Sequence, residues 1–261
     1  MTKLCQDGEP PIAPFRPIRR SPREDARDRR HLMIEEILPA SVAAAESRTD
    51  LSDEHLYPEE QALILRAADQ RRREFTTVRS CARAALAKLG LPPAPILRGE
   101  DGAPIWPAGV VGSMTHCRAY RAAVVARASA VCSVGVDAEP NEPLPPDVMD
   151  VVVREDERAW VSCLQATSPE VNWDRLLFSA KESVFKTWYP LKRRWLDFNQ
   201  VAITIESVGG TFSVRLVDSS ATTVASALTS FGGRWLARDG LLLTAIAVPA
   251  DGGSLACWPC L

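Results

Sequence analysis

Three short stretches hold residues whose types and spacing suit phosphate chemistry: GSMTHC (residues 112–117), SVGVDAEP (133–140) and FSAKESVFK (178–186). Wound as an α-helix, the third places Leu177, Val184, Trp188 and Leu191 on one apolar stripe and Phe178, Phe185 and Tyr189 on another. Lys181 falls between the stripes, Glu182 sits at their edge, and Lys186 follows Glu182 at i+4. An ammonium in an apolar arc needs a partner. In SVGVDAEP an extended chain turns Asp137 and Glu139 to the same side, where like charges repel unless a cation lies between them. Mg²⁺ takes oxygen ligands, typically carboxylates with waters and substrate phosphates. With Glu182 as a third carboxylate and Lys181 on the phosphate oxygens, the set is what a magnesium–phosphate site requires. Plainer readings stand beside it. The two strand-end acids can be exposed, Glu182 and Lys186 can form an i, i+4 pair worth about 0.2–0.5 kcal/mol, and Lys181 can snorkel. His116 suits either a structural hydrogen bond or a contact to a substrate anion.

The elements that must position these groups alternate in type. Residues 58–89 read as one helix, rich in Ala and Arg, free of Gly and Pro after its start, and ended by Gly90 and LPPAP. A turn-rich segment (96–109) precedes β-rich runs at 110–113, 122–128 and 131–136, and a proline-rich loop, PNEPLPPD (140–147). Helical patterns cover 151–164 and 172–189, the second stopped by Pro190; strands follow at 201–207, 211–217 and 241–249. This order predicts an α+β fold of two halves, each with a small antiparallel sheet and packed helices.

Composition narrows the class. With 31 basic and 33 acidic residues, the net charge of −2 marks no nucleic-acid-binding surface, and no apolar run is long enough to span a membrane. Residues 1–32 are charged and poor in large apolar groups, so a disordered tail is expected, lacking a secretory signal, with Met33 as an alternative start. Seven scattered cysteines fit reduced thiols in the cytoplasm, and the Cys257/Cys260 pair lacks the further ligands of a zinc site.

Taken together and in order, GSMTHC, SVGVDAEP and FSAKESVFK resemble the 4′-phosphopantetheinyl transferases, in the bacterial branch that activates siderophore, nonribosomal peptide and polyketide synthases. The resemblance implies a monomer of two pseudo-symmetric lobes, divided here into 33–133 and 134–261, binding coenzyme A and Mg²⁺ (or Mn²⁺) between them. It implies transfer of phosphopantetheine from coenzyme A to a serine of acyl or peptidyl carrier proteins, releasing 3′,5′-ADP, with neither nucleic acid nor membrane as partner. Asp137, Glu139 and Glu182 would hold the metal. Lys181 and Lys186 would meet phosphates, and Glu182, Lys181 and Asp137 would form the catalytic set, with Glu182 as the candidate base. His116 with Thr115, and Arg71, Arg79 and Arg98, would bind coenzyme A. Where the family often has a basic residue in the turn before the histidine, this chain has Ala103, and Arg98 can supply the charge. A magnesium nuclease and a non-catalytic coenzyme A-binding protein are the competing readings.

Overall fold

The computed structural model describes residues 32–51, 56–99, 102–217 and 230–250. The sequence-based expectations for residues 1–31 and for Cys257 and Cys260 lie outside them. The elements run β1 (Val42–Ser47), α1 (Pro58–Ala62), α2 (Asp69–Lys88), β2 (Val110–Cys117), β3 (Tyr120–Arg127), β4 (Val131–Pro140) and α3 (Pro146–Val152). They continue with α4 (Glu155–Thr167), α5 (Trp173–Lys192), β5 (Val201–Glu206), β6 (Thr211–Leu216), β7 (Ser230–Arg238) and β8 (Leu241–Pro249). The strands form two antiparallel sheets, one ordered β1-β3-β2 and the other β4-β8-β7-β6-β5. The change of sheet falls between Arg127 and Val131, whereas the expected lobe boundary at 133/134 cuts into β4.

Side-chain alternation assigns the layers. On β3, Ala123 and Val125 face α2, while Ala122, Val124 and Ala126 face the second sheet. The helix answers with Leu86 and with Cys81, Ala82 and Ala85, the last three small enough for close approach. On β8, Leu241, Leu243, Ala245 and Ala247 meet the first sheet, and Leu242 and Ile246 meet α5. The order is therefore helix, sheet, sheet, helix. β3 and β8 are apolar on both faces because both faces are covered.

The sheets are drawn together at their edges by hydroxyls, without a backbone ladder. Ser113 Oγ on β2 accepts the N–H of Val136 at 3.1 Å, and Thr115 Oγ1 accepts that of Ala138 at 3.0 Å. Two β4 amides are thereby satisfied by side chains of β2.

Several expected boundaries shift. The helix expected over 58–89 breaks at residues 63–68, because the buried Glu60 of α1 pairs with Arg83 of α2, which requires the chain to fold back. The helical region at 151–164 is split by extended residues Val153 and Arg154. α5 runs through Pro190, which costs one hydrogen bond in the last turn, and ends at Arg193 with φ of 50°. Strands β1 and β7 lie outside the stretches that the sequence marks as β-rich.

Candidate active site

The site is built where α5 crosses β4, and Gly135 permits the crossing. A Cβ there would lie 2.2 Å from Ser183 O and 2.3 Å from Thr187 Oγ1. The close approach lets Ser133 Oγ donate to Thr187 O at 2.7 Å. It also lets Lys186 Nζ donate to Asp137 Oδ1 at 2.7 Å and to Val136 O at 3.1 Å. Thr115 donates its hydroxyl to the same Asp137 oxygen at 3.2 Å. Asp137 Oδ2 is buried and takes no hydrogen bond from the described residues.

The neighbouring acids feel that charge. Burial, then Asp137, pushes the Glu139 carboxyl up to about 7, while Arg175, 3.0 Å away, pulls it down. Burial and Asp137 also raise Glu182, with Lys186 opposing. A buried, unpartnered carboxylate oxygen with two further carboxylates under mutual repulsion suits a hard cation in donor type and charge. Among the described residues, however, no three acidic, histidine or cysteine side chains are already gathered as a metal cluster. Here Lys186 and Arg175 hold Asp137 and Glu139.

Beside these acids lies a cavity of about 590 Å³. Arg71, Phe75 and Arg79 of α2, Arg98, Ala103 and Trp106 of the turn-rich segment, His116 of β2, and Glu182, Phe185, Lys186 and Tyr189 of α5 line it, with Arg193. Arg71 Nη1 lies 2.5 Å from His116 Nε2. A guanidinium only donates, so Nε2 accepts and the neutral imidazole carries its proton on Nδ1. Burial and then Arg71 push His116 below its ordinary value, opposed by Glu74, whose Oε2 is 3.4 Å from Nε2. Arg79 is buried, with Nε donating to Ile96 O at 3.0 Å and the guanidinium 3.1 Å above the Phe75 ring.

Two expected site residues are placed elsewhere. Lys181 does not reach the carboxylates of the cavity. Its Nζ is buried on the far side of α5, donating to Glu157 Oε2 at 2.6 Å, Val152 O at 2.8 Å and Phe198 O at 3.2 Å. All three ammonium protons are satisfied by α4, the end of α3 and the segment before β5, so the partner its burial demands is a carboxylate, not a phosphate. Burial still lowers its pKa, with Glu157 opposing. Thr115 is likewise sealed in the seam, its hydroxyl shared between Asp137 and Ala138, while the next side chain, His116, turns outward.

Sequence reasoning missed Arg175, Glu157, Glu74 and Arg193. Arg175 precedes Glu182 by seven residues and so shares its face of α5, which is a readable signal. Glu157 has only the mark of a first-turn acid, its Oε2 also capping α4 through Arg154 N at 3.0 Å.

Comparison with known families finds two matching models: the 4′-phosphopantetheinyl transferase N-terminal domain over residues 59–126, and the 4′-phosphopantetheinyl transferase superfamily over 133–237. The chain is 51% identical over 225 residues to 4′-phosphopantetheinyl transferase Svp of Streptomyces mobaraensis, covering 85% of this chain and 92% of the relative. It is 47% identical to 4′-phosphopantetheinyl transferase PptT of Mycobacterium tuberculosis, with 83% and 98% covered. Enterobactin synthase component D of Salmonella typhimurium is 29% identical, over 72% of this chain and 78% of that protein.

Proposed function

The chain belongs to the 4′-phosphopantetheinyl transferase family, and from that premise we propose that its cavity binds coenzyme A and that its carboxylates bind Mg²⁺ for transfer of the phosphopantetheinyl arm. The acceptor is a serine hydroxyl of an acyl or peptidyl carrier protein. The serine oxygen forms a bond to the phosphorus bearing pantetheine, the pyrophosphate bridge breaks, and 3′,5′-ADP leaves.

The observation that carries this reading is the convergence of Arg71, Arg79, Arg98, His116 and Lys186 on one cavity with Glu182 in its wall. Coenzyme A brings a pyrophosphate and a 3′-phosphate, and cations already in place bind such charge without reorganising. Arg71 and His116, joined to each other, suit the isolated phosphate. Lys186 reaches the cavity from its contact with Asp137 and suits the pyrophosphate. Asp137 Oδ2, Glu139 and Glu182 would hold the cation, whose part is to neutralise charge on the pyrophosphate. Glu182, raised by burial and by Asp137, is our candidate to accept the serine proton. The buried ion pair of Lys181 supports a role in holding α5, one residue from Glu182, rather than a role at the phosphates.

Intact mass spectrometry of an apo carrier protein with coenzyme A and Mg²⁺ tests the reading; transfer adds about 340 Da, the mass of the moved group. Glu182→Gln is expected to abolish that gain with the fold retained. Near-normal transfer by this variant would remove Glu182 from the chemistry, and the absence of any gain with the unmodified enzyme would remove the activity itself.

A further inference from the structure

Glu60 is fully buried, on a helix of only five residues, and the cavity does not include it. Its carboxylate is nevertheless the meeting point of four groups. Oε1 accepts the N–H of Ile96 at 2.8 Å, and Oε2 accepts that of Tyr57 at 3.1 Å. Arg83 Nη1 donates to both oxygens at 3.1 and 3.0 Å, and Arg79 Nε lies 3.7 Å from Oε1. Arg79 closes the circuit by donating to Ile96 O. Both polar backbone atoms of Ile96 are thus held, one by Glu60 and the other by the arginine that Glu60 faces.

Ile96 begins the segment that carries Arg98 to the cavity. Leu97 O accepts the N–H of Ile105 at 3.0 Å, and Arg98 bridges to Pro104, so the turn bearing Ala103 folds back on a fixed stem. Arg79 would be costly to keep charged at this depth alone, and Glu60 is the charge that opposes its desolvation.

We propose that Glu60 is a positioning residue for coenzyme A recognition: it holds Arg79, and through Ile96 the stem of Arg98, at the cavity wall. The proposal rests on the reading of the cavity as the coenzyme A site. The anionic end of the substrate then meets one guanidinium, that of Arg79, whose placement is fixed before binding, and a second, that of Arg98, borne on a fixed backbone stem. Glu60 touches no substrate, so its effect belongs to binding and not to the chemical step.

Glu60→Gln keeps the shape and an acceptor for Ile96 but removes the charge. The expected result is a rise in KM for coenzyme A of about tenfold with kcat within about twofold. Arg83→Gln disturbs the same buried carboxylate from the side away from the cavity, and is expected to lower Tm while leaving KM unchanged. A Glu60→Gln enzyme that loses Tm alone, or an Arg83→Gln enzyme whose KM rises equally, overturns the proposal. If Glu60→Gln does not fold by itself, the double variant with Arg83→Gln is compared with Arg83→Gln; equal KM values overturn it. Calorimetric titration of coenzyme A separates the two levels of inference. No binding to the unmodified enzyme sinks the assignment of the cavity, whereas tight binding that Glu60→Gln leaves unaltered sinks only the role of Glu60.

Discussion

Lys181 shows how a single side chain can be conspicuous in a sequence and still be assigned to the wrong partner. Its position in an apolar arc demanded a counter-charge, but Glu157, twenty-four residues earlier, is one acid among many and only the fold selects it. Asp137, Glu139, Glu182 and Lys186 were legible because strand and helix periodicity alone put them on shared faces. Lys181→Met leaves Glu157 buried with only the amides of Arg154 and Ile203. The expected loss is about 3–5 kcal/mol in denaturant unfolding, recovered in part when Glu157→Gln removes the unpaired charge but keeps an acceptor for those amides. A Lys181→Met protein as stable as its parent yet unable to transfer would return the lysine to the phosphates. His116 allows a second test at this scale. Because burial and Arg71 depress its pKa below the ordinary 6.5, its contribution to stability is present above that value and lost as pH falls through the depressed one. A bound phosphate favours the protonated ring, so coenzyme A is expected to bind with proton uptake near neutral pH. Calorimetry in buffers of different ionisation enthalpy reads it; an uptake unchanged in His116→Gln would exclude this imidazole as the source.

At the scale of elements, the crossing of α5 over β4 decides whether the charged groups meet. Gly135→Ala puts a methyl group where Ser183 O and Thr187 Oγ1 now lie, and backbone on both sides must move. The expected consequence is a loss of transfer of at least tenfold, with Lys186 drawn off Asp137, exceeding any loss of carrier binding. Unchanged steady-state kinetics in this variant would show that the contact has slack. The long amphipathic α5 is visible in sequence because its periodicity is plain, and strands β2 to β6 and β8 because they are β-rich runs bounded by turn residues. β1 is not, since half of VAAAES is the best helix-forming residue. β7 is hidden by Gly232 and Gly233, a residue type depleted in strands. In the sheet, a Cβ on Gly233 would fall 2.2 Å from Phe212 Cζ and 2.6 Å from Ala245 O, so the glycine is what lets the strand pack.

For the molecule as a whole, the seam between sheets is held by hydroxyls that accept backbone N–H groups. Thr115→Val keeps the volume but leaves the Ala138 amide without its partner and Asp137 Oδ1 with Lys186 alone. A loss of about 1–3 kcal/mol is expected from the unsatisfied amide, with faster hydrogen exchange at Ala138; unaltered exchange would show that another group takes over. The two-sheet arrangement followed from the order of elements in the sequence. The layering did not, because which face of β3 or β8 meets which neighbour depends on contacts between distant segments. That layering has a consequence for synthesis. β8 is the last strand among the described residues, yet it lies between β4 and β7. While the nascent chain lacks it, β4 and β7 both expose unpaired edges, and the apolar faces meant for β8 stay open. The growing polypeptide therefore passes through an extended aggregation-prone interval that ends only when β8 slots into the middle of the sheet.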